Sequence, residues 1–394
     1  MMRLIHKQNV MLFIYACALL FVGASCSKDS GTIPSEDSKL AATEVSIQLI
    51  NGSNERITGE ATVIISKRRP DVNMLVPRAH SLVKDGELSY KIFTDTEVRI
   101  TVLKKGYNPV YKDVVLKPDT KTVPIVLTPK TGLTVLSYNV KDGFEWKKKE
   151  NMERFTAWVS QLDPDVIVFQ ELVSFKHADL TALAKTYGHD FSVLLKEDGY
   201  PTGITSKQEI KNIERVLITS KKTTYRVHGY INAETSGLNI FAVHFSSQSN
   251  DLVVEEAEHV IAQARLKSVN GPVLISGDFN SISPTDERLL GSKFWTASMQ
   301  KYRPSRVPFD YRAMRLFEDS GFKDAVTLND NTFYKASFPT RTDYLGADFL
   351  GFRLDYSYLS ESLSQQCDYA EILQDPYTDI ASDHYPFLMH FDVK

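Results

Sequence analysis

Pro272-Val273-Leu274-Ile275-Ser276-Gly277-Asp278-Phe279-Asn280 is the stretch on which the reading of this chain turns. Val273, Leu274 and Ile275 form a short apolar run of the kind buried as a strand between covering layers. Gly277 ends the run, and Asp278 and Asn280 follow at i, i+2. Extended spacing points both polar side chains the same way and returns Phe279 to the core. Asp and Asn are also ordinary turn residues, so this stretch alone is compatible with a plain turn or with the mouth of a site.

Working outward, the same event recurs. An apolar run at 133–137 ends in Tyr138-Asn139, one at 166–169 in Gln170-Glu171, and one at 237–243 in His244. Arg353-Leu354-Asp355-Tyr356 leads into another strand, and Ser382-Asp383-His384 precedes the run at 387–391. Singly, each polar residue has a structural explanation: Asn139 a turn, Glu171 a helix cap, His244 a core histidine, Asp355 a partner for Arg353. Their repetition from Asn139 to His384 is hard to explain as punctuation. Between them, Met152, Phe155, Val159 and Leu162 predict an amphipathic helix over 148–162, stopped by Asp163-Pro164. Leu180, Leu183, Ala184 and Tyr187 predict a second helix closed by Gly188, and Val254, Ala257, Ile261 and Ala264 a third. Strands interleaved with helices predict a mixed α/β domain over 131–394.

The first third of the chain is organised differently. Arg3, His6 and Lys7 precede an apolar run at 10–22, and Gly23-Ala24-Ser25 leads into Cys26. This reads as a cleaved signal peptide, residues 1–25. Small residues before a cysteine resemble a bacterial lipoprotein cleavage box, with Gly23 where that box usually has Leu. The resemblance implies lipidation of Cys26 and anchoring to the outer membrane of the cell envelope, periplasmic or surface-exposed; plain cleavage near Ser25 and a retained anchor are the alternatives. Residues 26–42 are too poor in apolar side chains to fold and read as a tether. From 43 to 130, alternation at Val45, Ile47 and Leu49, a hairpin-type Asn51-Gly52 and further short strands predict a small all-β sandwich. Its end resembles a transthyretin-like or carboxypeptidase-regulatory-like module, and its role stands open between spacer, docking module and glycan binder.

The 394 residues are 42% apolar, enough for two domains, and the net charge of −3 excludes a strongly basic nucleic-acid binder while allowing an enzyme that handles phosphodiesters locally. Apart from Cys17 in the leader and Cys26 at its end, Cys367 is the one remaining thiol. The mature chain therefore has no internal disulfide and no cysteine zinc site.

Ser137-Tyr138-Asn139-Val140, Phe169-Gln170-Glu171, Val243-His244-Phe245, Gly277-Asp278-Phe279-Asn280, Arg353-Leu354-Asp355-Tyr356 and Ser382-Asp383-His384-Tyr385-Pro386 together resemble the endonuclease/exonuclease/phosphatase superfamily. That resemblance implies a four-layer α/β sandwich, two mixed sheets face to face with helices outside. It implies a metal-dependent phosphoester hydrolase in which Glu171, Asn139 and Asp383 hold one or two Mg²⁺ or Mn²⁺ ions. Asp278 would deprotonate water with Asn280 orienting it, His244 and His384 would bind phosphate oxygens, and Asp355 would hold the His384 ring. The expected partner is a phosphoester, met by a monomer that touches membrane only through its lipid. A nuclease-like phosphodiesterase, a sphingomyelinase-like lipid phosphodiesterase and a small-molecule phosphatase share these motifs, and a catalytically dead binding module would need a lost site residue. Two segments bear on this choice. Arg288, Lys293, Lys301, Arg303, Arg306, Arg312 and Arg315 make a local basic excess against Asp286, Glu287 and Asp310, either a phosphate grip or a solvated face. Tyr334, Phe338, Tyr344, Phe349 and Phe352 either stack on substrate or pack the loop before Asp355.

Overall fold

The computed structural model describes residues 42–69, 73–219, 228–291, 310–328, 333–340 and 351–393. The leader, Cys26 and most of the tether lie outside them, as do Lys293, Lys301, Arg303, Arg306, Tyr344 and Phe349. Among the described residues, no helix is long and apolar enough to cross a membrane.

Seven strands come first: β1 (Thr43–Ile50), β2 (Ala61–Arg68), β3 (Leu75–Val83), β4 (Glu87–Ile92), β5 (Thr96–Leu103), β6 (Val110–Leu116) and β7 (Thr122–Val126). They form two sheets, β4-β1-β7 and β3-β2-β5-β6. The alternating Val45, Ile47 and Leu49 pack against Val63, Ile65, Ile100 and Val102 in a shared core. Two local readings change here. Asn51-Gly52 does turn the chain, but it closes only an isolated Ile50–Arg56 bridge before the chain crosses to the other sheet. β3 escapes sequence reading because Pro77 argues against a strand; it sits where the β2–β3 register shifts, a bulge that tolerates a missing N–H.

Twelve further strands make two six-stranded sheets. The first, in the order β10-β11-β9-β8-β19-β18, contains β8 (Leu133–Asn139), β9 (Val166–Gln170), β10 (Phe191–Leu194), β11 (Gly203–Ser206), β18 (Cys367–Ile372) and β19 (Phe387–Phe391). The second, β12-β13-β14-β15-β17-β16, contains β12 (Lys211–Val216), β13 (Tyr230–Thr235), β14 (Leu238–His244), β15 (Val273–Asp278), β16 (Lys323–Asp324) and β17 (Asp355–Leu359). Their inner faces share one core, in which Val135, Val168 and Met389 meet Ile231, Ile240 and Leu274. On one outer face lie α1 (Lys149–Leu162) and α2 (His177–Thr186), through Phe155, Val159, Leu180 and Leu183. On the other lies α3 (Asn250–Ser268), through Val253, Ala257, Val260 and Ala264. The short α4 (Pro284–Leu290) follows β15, and α5 (Arg312–Asp319) adds Met314 and Phe317 to the second outer face. The architecture is the four-layer α/β sandwich expected from the family motifs. Cys367 is buried in the central core and forms no disulfide among the described residues.

Register sets the site. In the β14–β15 ladder His244 lies opposite Asp278, and in the β15–β17 ladder Asp278 lies opposite Asp355. Gly277 between them has φ 152°, and a Cβ there would fall 1.9 Å from the Val243 carbonyl oxygen, so only glycine fits. Arg353, two residues before Asp355 and outside β17, pairs elsewhere. Its guanidinium is fully buried, donating from Nε to Asp286 Oδ1 at 2.9 Å and from Nη1 to Asp324 Oδ1 at 2.9 Å, 4.2 Å from the Tyr356 ring centroid. Tyr356 in turn donates to Asp286 Oδ2 at 2.6 Å. Asp286 is thus part of a buried clasp and not of a solvated basic segment. Arg312 is exposed and paired with Asp310 and Asp251. Removing one member of a buried ion cluster strands the others, so Arg353→Met should cost about 3–5 kcal/mol, read as a lower urea midpoint in equilibrium unfolding. An unchanged midpoint would show that Asp286 and Asp324 find other partners.

Candidate active site

The site forms where the two sheets meet at one edge. β8 delivers Asn139, buried, whose Nδ2 donates to Glu171 Oε1 and to Asp278 Oδ2, each at 3.1 Å. Sequence reading gave the Asn139 oxygen to a metal. In the structure that oxygen accepts the Lys141 N–H at 3.1 Å, which orients the amide and turns its nitrogen to the carboxylates. Asn139 therefore ties the two sheets together as a donor. Directly after it, Lys141–Lys147 runs through left-handed backbone, with φ from 44° to 67°. That conformation disfavours L-residues by roughly 1–2 kcal/mol each, and the site gains from it. Asp142 N–H donates to Glu171 Oε2 at 3.0 Å and Gly143 N–H to the Glu171 carbonyl at 2.6 Å. The strain is local to the side chains that build the site.

Asp278 is almost fully buried. The backbone N–H of Asn280, at φ 44°, donates to Asp278 Oδ1 at 2.8 Å, while the Asn280 amide donates to the Phe245 carbonyl at 3.0 Å. Asn280 thus meets Asp278 through its backbone, and its side chain braces the loop after β14. Phe279 turns into the core against Phe245, Phe317 and Tyr356, as the alternation predicts. Burial raises the Asp278 carboxyl to about 7; Asp355 and Glu171 push the same way, while His384 and the Asn280 N–H oppose them. Glu171, on the rim, is raised mainly by burial, against the Asp142 N–H and His384.

Two histidines flank Asp278 symmetrically, each with Nε2 3.7 Å from its Oδ2. Their proton affinities are displaced in opposite directions. His384 Nδ1 lies 2.7 Å from Asp355 Oδ2. Burial works against charge on this ring, but Asp355 and Asp278 overcome it and raise it to about 10, so it is an imidazolium at neutral pH. His244 is held well below its ordinary value by burial and by the neighbouring His228 and His384 rings, and is neutral. Its Nδ1 is buried and has no hydrogen-bond partner among the described residues. The His228 ring lies 4.3 Å from it, centroid to centroid.

Several contributing residues were not assigned from the sequence. Ser382 Oγ donates to the Asn139 carbonyl at 2.8 Å and accepts the His384 N–H at 3.1 Å. Ser337 Oγ accepts the N–H groups of Leu354 and Asp355 at 2.9 and 3.1 Å. Ser382 stood inside a quoted motif; Ser337 carries no sequence signal at all. Of the aromatic group, Tyr334 and Phe352 are buried loop packing, while the Phe338 ring lies 4.9 Å from His384. Asp278, Asp355 and His384 have ligand atoms within 4.8 Å of one another, and Asp383 adds negative charge near the His384 ring. Ligand atoms of Glu171, His244 and Asp278 lie within 4.8 Å of one another. This negative excess of hard oxygen donors, with two carboxyls displaced upward by burial, fits a divalent cation.

The profile of the Endonuclease/Exonuclease/phosphatase family matches residues 136–384, more than half of the chain, and the chain belongs to that family. Among solved structures, a 3′ phosphatase from Neisseria bound to product DNA hairpin is 17% identical, with a TM-score of 0.50 over 66% of this chain and 100% of that one. An AP endonuclease from Archaeoglobus fulgidus is 19% identical with a TM-score of 0.49, again over 66% and 100%. At these identities the likeness is one of fold. No curated protein sequence matches the chain.

A carboxyl raised on folding stabilises the protein while protonated and loses that contribution as pH rises through its folded value. The Asp278 contribution to the metal-free protein is therefore full below the ordinary carboxylate range and lost as pH rises from about 4 to about 7, whereas that of the raised His384 is full below the ordinary histidine range and lost progressively from there to about 10. The melting temperature of chelator-treated protein should fall as the Asp278 contribution is lost between about pH 4 and 7. The fall should be shallower in Asp278→Asn, which keeps every other group; equal slopes would refute the assignment.

Proposed function

We propose that this chain is a divalent-metal-dependent phosphodiesterase, hydrolysing its substrate by in-line attack of water on phosphorus. The observation that carries the reading is the arrangement of one buried carboxylate, Asp278, between the Nε2 atoms of two histidines, with Asp355 holding the His384 ring. Glu171 and Asp383 would hold Mg²⁺ or Mn²⁺, which supplies charge neutralisation at a phosphoryl oxygen. Asp278, once ionised, accepts the proton of the attacking water, and the Asn280 N–H and Asn139 amide fix its two oxygens. His384 donates from Nε2 to a non-bridging phosphate oxygen, its other nitrogen being engaged by Asp355. Neutral His244 presents Nε2 to the same space from the other side. No serine or cysteine nucleophile is required, so the step has no covalent intermediate.

Protein beginning after Cys26 should turn over bis-p-nitrophenyl phosphate with Mg²⁺ or Mn²⁺ and stop on chelation; turnover without metal overturns the mechanism. His384→Ala and Asp278→Ala should each lower kcat by about 10²–10⁴-fold with an unchanged circular dichroism spectrum. A panel of DNA, RNA, sphingomyelin, inositol phosphates and sugar phosphates identifies the substrate. The leader and Cys26 support export and lipid anchoring at the cell envelope; labelled palmitate should be incorporated by the native chain and not by Cys26→Ser.

A further inference from the structure

Among its described residues the N-terminal sandwich has no cluster of catalytic residue types, and a spacer would touch its neighbour lightly. This one does not. Ile64 of β2 and Leu103 of β5 lie in the same hydrophobic cluster as Leu136, Tyr138, Tyr369 and Leu388. Between the domains sits a buried ionic cluster. Glu371 of β18 accepts from Thr101 Oγ1 of β5 at 2.8 Å and from Tyr369 OH at 2.9 Å, and is paired with the buried Lys335. Arg99 of β5 lies 3.9 Å from Glu371, donates to Asp113 at 2.8 and 2.7 Å, and stacks 3.9 Å from the Tyr111 ring centroid. Burial alone would raise the Glu371 carboxyl, but Lys335 and Arg99 overcome it and hold it below the ordinary range. A cluster of this kind is a poor source of stability and a good source of fixed geometry.

What it fixes is the segment 333–340. The Tyr334 N–H donates to the Asn73 carbonyl at 3.0 Å and Leu75 N–H to the Tyr334 carbonyl at 3.1 Å, so the start of β3 pairs with this segment. Met74 joins Tyr334, Ala336, Phe352 and Leu354 in one apolar cluster. The next residues reach the active site. Ser337 Oγ holds the Asp355 N–H, the Ser337 carbonyl accepts Tyr385 N–H at 2.7 Å, and Thr340 donates to the carbonyls of Asp383 and Ser382 at 3.0 and 2.6 Å.

We infer that the sandwich is a positioning element of the active site, clamping the segment 333–340 that sets Asp355, Asp383 and His384, with Lys335 and Glu371 as positioning residues. The inference rests on reading those three groups as catalytic machinery, and its test has an arm that does not need turnover.

In full-length protein after Cys26, Lys335→Met removes the clamp from the segment side and the near-isosteric Thr101→Val loosens it from the sandwich side. Hydrogen exchange by mass spectrometry, at a temperature where each variant is fully folded, should show faster exchange in peptides covering 352–356 and 382–386. The effect should be larger for Lys335→Met. The same variants should lose kcat, about 10-fold or more for Lys335→Met, with KM changed less than about 2-fold. A lowered melting temperature with unchanged exchange and kcat would mean that the sandwich adds only stability and overturns the inference. If Lys335→Met does not fold, Thr101→Val decides by the same criteria. If the native protein turns nothing over, exchange alone decides the clamp, and the missing turnover counts against the hydrolase reading.

Discussion

The burial of Asp278 between two sheets is the constraint around which this structure is arranged. An ionised carboxylate removed from water is strongly unfavourable unless hydrogen bonds and charge surround it. Here the Asn139 amide comes from one sheet, the Asn280 N–H from the strand end itself, and the His384 imidazolium from the loop before β19. Each partner needs its own support. Asn139 is oriented by Lys141 N–H, His384 by Asp355, and Asp355 by Ser337. A buried polar network in a low-dielectric seam depends on every member being satisfied, and burial within it brings the Asp278 carboxyl close to neutral proton affinity.

The same logic extends outward to the sandwich. The segment 333–340 that carries Ser337 lies outside the regular strands and is bonded to β3, Glu371 and the apolar cluster around Met74. A two-domain chain with a catalytic second domain would ordinarily leave the first dispensable to the geometry. Here the polypeptide passes its buried charges across the boundary, and the segment that ends in the active site begins at the sandwich.

Much of this was legible in the residues. The apolar runs that end in Asn139, Glu171, His244 and Asp278 are central strands, because a strand buried on both faces must be apolar throughout and can expose polar groups only at its end. Gly277 was legible as an end signal, but the reason it must be glycine, the Val243 carbonyl on the neighbouring parallel strand, was not. The pairing of Arg353 was open between Asp355 and other partners. It goes to Asp286 and Asp324, distant in sequence, while Asp355 is taken by His384, a choice that only the tertiary packing makes. Pro77 concealed β3, since a bulge that accommodates proline exists only once β2 is beside it.

By itself the sequence determined the strand and helix periodicity, the order of the polar strand ends and the residue types available for chemistry, because these follow from local geometry and hydrophobic pattern. The tertiary structure decided which of those groups meet and in what protonation state. Register placed His244, Asp278 and Asp355 side by side, and burial together with neighbouring charge made one histidine cationic and the other neutral. Proton affinity depends on surrounding dielectric and on charges a few ångströms away in space. Those neighbours are supplied by strands far apart along the chain, so nothing local could have set them.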